Sequence, residues 1–390
     1  MTASPERSDA GPLAVWLIGA RGAVATTTIL GAAALRLGHA RPIGLVTESV
    51  PLSAARLAPL DSLVFGGHDV TDTPLIKSAH ALCRDAGPLS PQLVRDLENE
   101  LAATELCLRP APPLSGSLPA LQFIRRVQED LAAFRSSTGA RRVIMVNLAT
   151  TEPPAPPELA GRDLVQLEAG VAGPVSRLPA SLLYAYAALD VGVPYVNFTP
   201  SIGASLPALE ALARERGVPH AGQDGKTGET LLKSALAPMF RMRNLQVKSW
   251  SGFNVLGNTD GLALSDPAIA ASKLESKSKV VPAILGYEPH MIVRIDYVPT
   301  LGYWKTAWDL VQFDGFLGTP MTLQLTWQGS DSALAAPLIL DLIRLVDLAA
   351  DRGERGGLGH LAFFFKSPVN SDVHNLAEQY TLLCRHVLAA

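Results

Sequence analysis

An apolar run that ends in a glycine turn is the feature that most constrains how this chain folds. Leu13–Ile18 is hydrophobic and uncharged, a turn of small residues follows at Gly19–Ala25, and Thr26–Leu37 has the pattern of a helix. A buried strand, a glycine turn and a helix in this order are typical of the first unit of a parallel sheet. The chain is therefore expected to build an α/β domain around this segment.

The turn has the spacing Gly19-x-x-Gly22-x-x-Ala25, an imperfect form of the dinucleotide-binding fingerprint. Its small residues allow a tight turn, close approach of a pyrophosphate and close packing of the helix, whose N-terminus attracts the anion. An ordinary strand-to-helix turn is the alternative. Two acids could hold the ribose of a dinucleotide: Glu48, at the end of a predicted second strand, and Asp69, in a glycine-flanked turn. The sequence leaves both open.

Apolar runs further along the chain predict the remaining secondary structure. In the first half, strands are predicted at Ile43–Thr47, Arg142–Asn147 and Val193–Asn197, and the polar stretch Ser53–Arg109 is predicted to be mostly helical. Beyond about Ala235, strands follow one another with few helices between them, which favours an α+β or mostly antiparallel sheet. The predicted elements there are strands Leu245–Phe253, Met291–Tyr297, Ala307–Phe313 and Thr322–Gln328, helix Leu334–Arg352 and strand Leu361–Phe365.

This order of elements predicts an α/β fold in which a Rossmann-type doubly wound parallel sheet is interrupted by a sheet-rich α+β insertion. The predicted boundaries are a disordered tail at residues 1–11, the Rossmann domain at 12–234, the insertion at 235–330 and a return to the Rossmann domain at 331–390.

Composition excludes several classes of function. Only 18% of the 390 residues are charged and the net charge is -3, so the basic patch that a nucleic-acid partner needs is not expected. We find no apolar run of about 18 residues and expect no membrane segment. Three cysteines without metal-type spacing indicate reduced thiols in a cytoplasmic protein, and no metal site is predicted.

Two polar turns and a set of lysines mark the candidate site. Gly222–Thr230 opens into an apolar helix and could bind phosphate or a cofactor through backbone N–H groups, and Asn254–Gly261 gathers two amides and a carboxylate. Lys273 and Lys277 lie one helical turn apart, so their ammonium groups repel unless an anion lies between them. A sugar phosphate would supply that anion; a solvated hairpin and a solvated basic face are the alternatives. Lys366 follows a predicted strand, where active-site groups commonly lie.

Taken in chain order, these blocks resemble the motifs of the myo-inositol-1-phosphate synthase family. The match runs from the first strand to about Val369, and the ordered combination is far more specific than any one block. Gly67-x-Asp69 and Thr151-Glu152 are also similar to cofactor-side motifs of the family. The main blocks are Gly222–Thr230, Asn254–Gly261, Ser272–Lys277, Asp331–Leu338 and Phe365–Pro368.

The resemblance implies tightly held NAD, a hexose 6-phosphate substrate and a homotetramer built through the inserted domain, which also carries catalysis. The cofactor-binding candidates are Gly19, Ala20, Arg21, Gly22, Ala23, Asp69, Thr151, Asp224 and Asp331. The catalytic candidates are Lys273, Lys277, Lys305, Lys366, Asp224, Asn258, Asp260 and Tyr303. The implied reaction oxidises C5 of the sugar, enolises it, closes a ring by an intramolecular aldol step and reduces C5 again.

One departure from the family bears on the substrate. The family usually places an acid two residues before the lysine that corresponds to Lys305, and this chain has Tyr303 there; Gln223 also replaces an acid. A lost carboxylate changes the charge and shape around a lysine. Glucose 6-phosphate would give a six-membered inositol ring, whereas fructose 6-phosphate would give a five-membered ring of the kind used in carbocyclic nucleosides. A sugar-phosphate dehydrogenase and a catalytically silent NAD-binding protein are further alternatives.

Overall fold

A computed structural model describes residues 11–84, 87–114, 119–257, 261 and 280–389. Its strands fall into a sheet of seven and a sheet of four. The strands are β1 (Leu13–Ile18), β2 (Leu63–Asp69), β3 (Leu108–Pro110), β4 (Arg142–Asn147), β5 (Tyr195–Asn197), β6 (Pro219–Ala221), β7 (Gln246–Leu256), β8 (His290–Tyr297), β9 (Lys305–Asp314), β10 (Pro320–Gly329) and β11 (Gly356–Gly357).

Helices cover both faces of the larger sheet, and none in the described ranges is long and apolar enough to cross a membrane. They are α1 (Ala23–Arg36), α2 (Leu75–Ala81), α3 (Pro91–Asp96), α4 (Glu98–Glu105), α5 (Ala120–Thr138), α6 (Leu164–Val171), α7 (Ala180–Asp190), α8 (Pro207–Arg216), α9 (Gly228–Met242), α10 (Asp331–Asp351) and α11 (Leu376–Leu388).

The seven-stranded sheet has the order β3-β2-β1-β4-β5-β6-β11, and every strand pair in it is parallel. Because strand order reverses at β1, between β2 and β4, a crevice opens at the carboxyl ends of these strands. This is the Rossmann-type arrangement that the sequence predicts, and the predicted α/β fold class is confirmed. The last strand, β11, comes from the C-terminal part of the chain, after the four-stranded sheet.

Alternation along β1 shows how the sheet is held between its helices. Leu13, Val15 and Leu17 pack in one hydrophobic cluster with α1 and α10, while Ala14 and Trp16 pack with α5 and α7 on the other face. Successive side chains of a strand point to opposite faces, so a strand buried on both faces has a continuous apolar sequence. This explains why the run at β1 is uninterrupted by polar residues.

The strand predicted at Ile43–Thr47 is wrong. This segment forms turns and a short 3-10 helix, and the carboxylate of Asp341 on α10 accepts hydrogen bonds from the backbone N–H groups of Val46, at 2.7 Å, and Thr47, at 3.1 Å. The place beside β1 is taken by β2 instead. Ser53–Arg109, predicted to be mostly helical, therefore contains both β2 and β3.

The strand predicted at Leu361–Phe365 is also wrong. Residues Gly359–Phe364 form a 3-10 helix, and only Phe365 makes a β-bridge, to Gly225. The edge of the sheet at β6 is already occupied by β11, so the apolar run packs as a helix against the core instead.

The smaller sheet has the order β10-β9-β7-β8 and is mixed, because β7 and β8 are parallel while the other two pairs are antiparallel. Side chains of Val247, Trp250 and Val311 form a core on one face with α9 and with the helical residues 280–285. Residues on the opposite face are only partly buried by the parts of the chain that the structure describes.

Candidate active site

A cleft of about 180 Å³ lies at the carboxyl ends of the central strands, where the smaller sheet meets the larger one. Leu256 and Ile295 of the smaller sheet line it, opposite Leu148 and Phe198, which follow β4 and β5. Eight of the residues singled out from the sequence also line it: Gly22, Ala23, Thr151, Asp224, Tyr303, Lys305, Asp331 and Lys366.

The glycine turn forms one wall of this cleft. Gly19 has a φ of +79°, and its N–H donates to the carbonyl oxygen of His68 at 2.9 Å. A Cβ at this position would lie 2.9 Å from the Cα of Ala149, so only glycine fits. Gly22 is the N-cap residue of α1, and no side chain among the described residues accepts a hydrogen bond from the first N–H groups of the helix there. The N-terminus of α1 therefore meets the cleft as an open anion-binding end, which fits a dinucleotide pyrophosphate.

The two acids considered for the ribose have very different surroundings. Asp69 ends β2 beside the turn, and its carboxylate accepts hydrogen bonds from the backbone N–H groups of Arg21, at 2.7 Å, and Thr71, at 3.0 Å. Glu48 instead pairs with Arg344 of α10 at 2.5 Å. The acid at the end of the strand next to β1 is Asp69, because the predicted strand before Glu48 does not form.

Asp224 and Lys366 form an ion pair on the second wall of the cleft. The Nζ of Lys366 donates to Oδ1 of Asp224 at 2.7 Å, and the backbone N–H of Lys366 donates to the Asp224 carbonyl oxygen, also at 2.7 Å. Only 9% of Lys366 and 4% of Asp224 is exposed. Two hydrogen bonds between the same two residues fix the ammonium group at one place in the cleft.

Lys305 and Asp331 form a second ion pair, with a distance of 3.2 Å between Nζ and Oδ2. Lys305 begins β9, and Asp331 lies in the first turn of α10, where the helix dipole favours a carboxylate. Tyr303 lines the cleft two residues before Lys305 and is half-buried. The described cleft thus holds two ammonium groups, each beside one carboxylate.

An amide network that the sequence motifs did not indicate lies beside the cleft, at the ends of β4 and β5. The Nδ2 of Asn147, which ends β4, donates to Oδ1 of Asn197, at the end of β5, and lies 3.3 Å from the hydroxyl of Thr199. Thr199 itself lines the cleft. Each of these two buried strands ends in an asparagine. That pattern could have predicted the network, because residues at the carboxyl ends of parallel strands lie at the crevice of the sheet.

The remaining predicted site residues fall into two groups. Gly19, Ala20, Arg21 and Asp69 build the turn behind the lining of the cleft. Lys273, Lys277, Asn258 and Asp260 lie outside the described residues.

Comparisons with known proteins point to one family. Residues 228–332 match the family model described as myo-inositol-1-phosphate synthase. Inositol-3-phosphate synthase 1 of Bacteroides thetaiotaomicron is 32% identical, over 93% of this chain and 91% of that protein. Inositol-3-phosphate synthase 1 of Rattus norvegicus is 31% identical, over 82% of this chain and 62% of that protein.

Solved structures give the same result for the fold. A myo-inositol-1-phosphate synthase-related protein from Thermotoga maritima is 25% identical, with a TM-score of 0.79 over 96% of this chain and 98% of that one. An inositol-3-phosphate synthase from Caenorhabditis elegans is 23% identical, with a TM-score of 0.87 over 97% of this chain and 85% of that one, and at this identity it shows the fold alone. Because the Bacteroides relative matches almost the whole chain, this protein belongs to the myo-inositol-1-phosphate synthase family and is an isomerase of the intramolecular-lyase type.

Proposed function

We propose that this enzyme uses NAD to convert glucose 6-phosphate into a myo-inositol phosphate. The observation that carries the proposal is that one cleft is lined both by the open N-terminus of α1 and by the lysine–carboxylate pairs Lys305–Asp331 and Lys366–Asp224. A dinucleotide site and two cations therefore face the same small volume. The names of the relatives, which are inositol-3-phosphate synthases, support the same substrate class.

The residues around the glycine turn fit NAD. The Gly19–Ala23 segment and the N-terminus of α1 would hold the pyrophosphate, Asp69 would hold the adenosine ribose, and Thr151, Asp224 and Asp331 would lie toward the nicotinamide. When bound, NAD supplies a hydride acceptor and afterwards a hydride donor, so the overall reaction has no net redox change. The protein contributes position and charge.

Lysines suit the carbon chemistry because negative charge develops on two substrate oxygens. Oxidation at C5 makes the C6 protons acidic, and loss of one gives an enolate with charge on the C5 oxygen; we assign Lys305, together with Lys273, to that oxygen. C6 then attacks a carbonyl, and we assign Lys366 to the oxygen of that carbonyl. Fixed cations at these oxygens stabilise the transition states more than the ground state. The substrate's own phosphate, held by Lys277, accepts the C6 proton.

Tyr303 favours a second candidate substrate. The position two residues before Lys305, where the family motif has an acid, holds a phenol that lines the cleft. Ring size depends only on which carbon carries the attacked carbonyl: C1 of glucose 6-phosphate gives six members and C2 of fructose 6-phosphate gives five. The phenol of Tyr303 is bulkier than a carboxylate and neutral, and on this alternative the cleft would accept the open carbon chain of fructose 6-phosphate instead of that of glucose 6-phosphate.

The test is incubation of the purified enzyme with NAD and each hexose 6-phosphate in turn, with NMR spectroscopy of the product ring. The proposal expects a six-membered cyclitol phosphate from glucose 6-phosphate and no accumulation of NADH. A five-membered ring from fructose 6-phosphate would favour the second candidate. Stoichiometric NADH with an uncyclised sugar phosphate oxidised by two electrons would identify a dehydrogenase, and no turnover of either sugar would contradict both cyclase proposals.

Changing Tyr303 should alter the choice between the two sugars. We expect Tyr303→Asp to raise the ratio of glucose 6-phosphate to fructose 6-phosphate turnover, because it restores a carboxylate near Lys305 and removes a ring from the cleft. Tyr303→Phe is the matched control for size. An unchanged ratio in both variants would make Tyr303 a packing residue, and an equal shift in both would assign the effect to the hydroxyl.

We further propose that the chain forms a homotetramer through the smaller sheet. The face of this sheet turned away from α9 carries a partly exposed apolar patch at its centre, and Phe253 and Trp308 are cross-strand neighbours whose ring centroids lie 5.6 Å apart. A second copy of the same face would remove this apolar surface from water. The patch consists of Phe253, Val255, Ile292, Trp308 and Leu310.

Light scattering at micromolar concentration should therefore give the mass of an oligomer. Leu310→Glu should lower that mass, because it places a charge in the centre of the patch, whereas Leu106→Glu, at a leucine that is 77% exposed and follows α4 beside the larger sheet, should leave it unchanged. A wild-type mass equal to that of one 41.3 kDa chain would contradict the proposal.

A further inference from the structure

A cluster of two histidines and a glutamate lies at the end of α10 and α11. Glu354 follows α10, His360 lies in the 3-10 helix Gly359–Phe364, and His386 lies in the last turn of α11. The Nε2 of His386 lies 2.8 Å from Oε1 of Glu354, and Nδ1 of His360 lies 3.9 Å from Oε2. One nitrogen or oxygen of each residue lies within 4.8 Å of the other two. None of the three lines the catalytic cleft.

The two imidazole rings are stacked, with centroids 3.4 Å apart and an angle of 11° between their planes. Two protonated rings at this distance would repel each other. Burial, together with the charge of His386, lowers the pKa of His360 to about 4. Burial pushes the pKa of Glu354 upward, but the hydrogen bond from His386 together with the positive charges of His360, His386 and Arg352 lowers it below its usual value. Metal ions bind imidazoles and carboxylates in their deprotonated forms.

We propose that Glu354, His360 and His386 bind one divalent transition-metal ion, with Zn²⁺ the best fit. Two imidazoles and one carboxylate are a ligand set that this ion accepts in tetrahedral geometry, with a water as fourth ligand. Access for the ion and the water exists, because 14% of the His360 side chain, 22% of Glu354 and 35% of His386 is exposed.

Binding requires one ring to turn. A metal lies in the plane of each imidazole that binds it, and two parallel planes cannot both contain the same ion. His386 is the more exposed of the two rings, 35% against 14%, so we assign the turn to it: rotation about its Cβ–Cγ bond would exchange the stacking contact for a second metal bond. The guanidinium of Arg352 is a positive charge near the site and would repel a metal ion. Its N–H groups donate to the carbonyl oxygens of His386, Val387 and Ala389, which hold it in place at the end of α11.

The site would act as a clamp on the C-terminal helix. Its three ligands come from the end of α10, the 3-10 helix and α11. In the structure α11 is held to these segments by the hydrogen bonds of Arg352 and by apolar residues such as Leu383 and Val387, which pack in the core. The same 3-10 helix that carries His360 leads into Phe365 and Lys366. An ion here would therefore hold together α11 and the segment that brings Lys366 to the cleft, without contact with the substrate.

The experiment uses untagged full-length protein, stripped of metal with a chelator and titrated with Zn²⁺ by calorimetry. We expect one strong site per chain and a rise in melting temperature with Zn²⁺. Co²⁺ in the same site should give the visible absorption of a low-coordinate ion. His360→Ala with His386→Ala should weaken binding at least tenfold, as loss of direct ligands must exceed the roughly 10–100-fold effect of second-layer changes.

Two further variants keep the test decisive. Glu354→Gln preserves size and should also weaken binding, which covers the case in which the double variant folds poorly. His80→Ala removes an exposed histidine on α2 and should bind like the wild type. Equal Zn²⁺ affinity in the wild type, the double variant and Glu354→Gln, or no binding to the wild type at all, would overturn the proposal. These readouts do not depend on turnover of any sugar, so they are independent of the proposed activity.

Discussion

Lys366→Ala should lower kcat by a factor of about 10²–10³, the usual effect of removing one donor to a developing oxyanion. Lys366 is buried, is held by two hydrogen bonds to Asp224 and lines the cleft that the glycine turn also lines. Its ammonium group is therefore fixed before the substrate binds, and its loss removes a positive charge from the cleft. The measurement is steady-state turnover of the preferred hexose 6-phosphate, with NAD occupancy determined on the same sample.

Stability must be separated from catalysis in this variant, because Asp224 would remain buried beside an empty position. Breaking a buried ion pair by removing one partner commonly destabilises a protein by about 3–5 kcal/mol. Thermal unfolding followed by circular dichroism should show a lower but single transition. Lys248→Ala is the matched control: the Lys248 side chain is 61% exposed, and its Nζ forms a surface ion pair 2.9 Å from Oδ2 of Asp314. Near-normal turnover of folded Lys366→Ala would remove this lysine from the mechanism.

Gly19→Ala should abolish stable binding of NAD. The wild type is expected to carry NAD through purification, so that heated protein releases a compound that absorbs as a nicotinamide dinucleotide. An alanine at φ +79° costs roughly 1–2 kcal/mol in backbone strain alone, and its Cβ would lie 2.9 Å from the Cα of Ala149. The turn must therefore move away from β4, and we expect the affinity for NAD to fall by more than about tenfold.

Gly139→Ala separates the two causes. Gly139 ends α5 with a φ of +62°, but a Cβ there would meet no atom within 4 Å, and the residue is remote from the cleft. This variant should lose a similar amount of stability from backbone strain and keep its NAD. Equal NAD content in all three proteins would show that the glycine turn does not hold the cofactor. Release of NADP from the wild type would contradict the assignment of Asp69 to a free ribose hydroxyl.

Local sequence determined the elements whose pattern of apolar side chains can be buried in only one way. β1 is apolar at every position because both faces of the sheet are covered, and Gly19 must be glycine because of the backbone it adopts. β4, which is apolar along most of its length, and the four strands of the smaller sheet, whose side chains alternate between two faces, follow from the sequence in the same way. Lys305, Lys366, Asp224 and Asp331 could be recognised from short blocks, because motif order is preserved along the chain even where the residues are far apart.

Tertiary structure alone decided which apolar segment occupies each place in the sheet. Ile43–Thr47 has the composition of a strand, but its N–H groups bond to Asp341, almost 300 residues away, and β2 with its two glycines lies beside β1 instead. That competition places Asp69, and not Glu48, at the end of the strand beside β1. The ion pairs at Lys305 and Lys366 likewise join residues 26 and 142 positions apart. Packing between distant segments decides which carboxylate each lysine meets. The free energy of that packing depends on the whole fold, so it cannot be read from the residues that flank each lysine in the sequence.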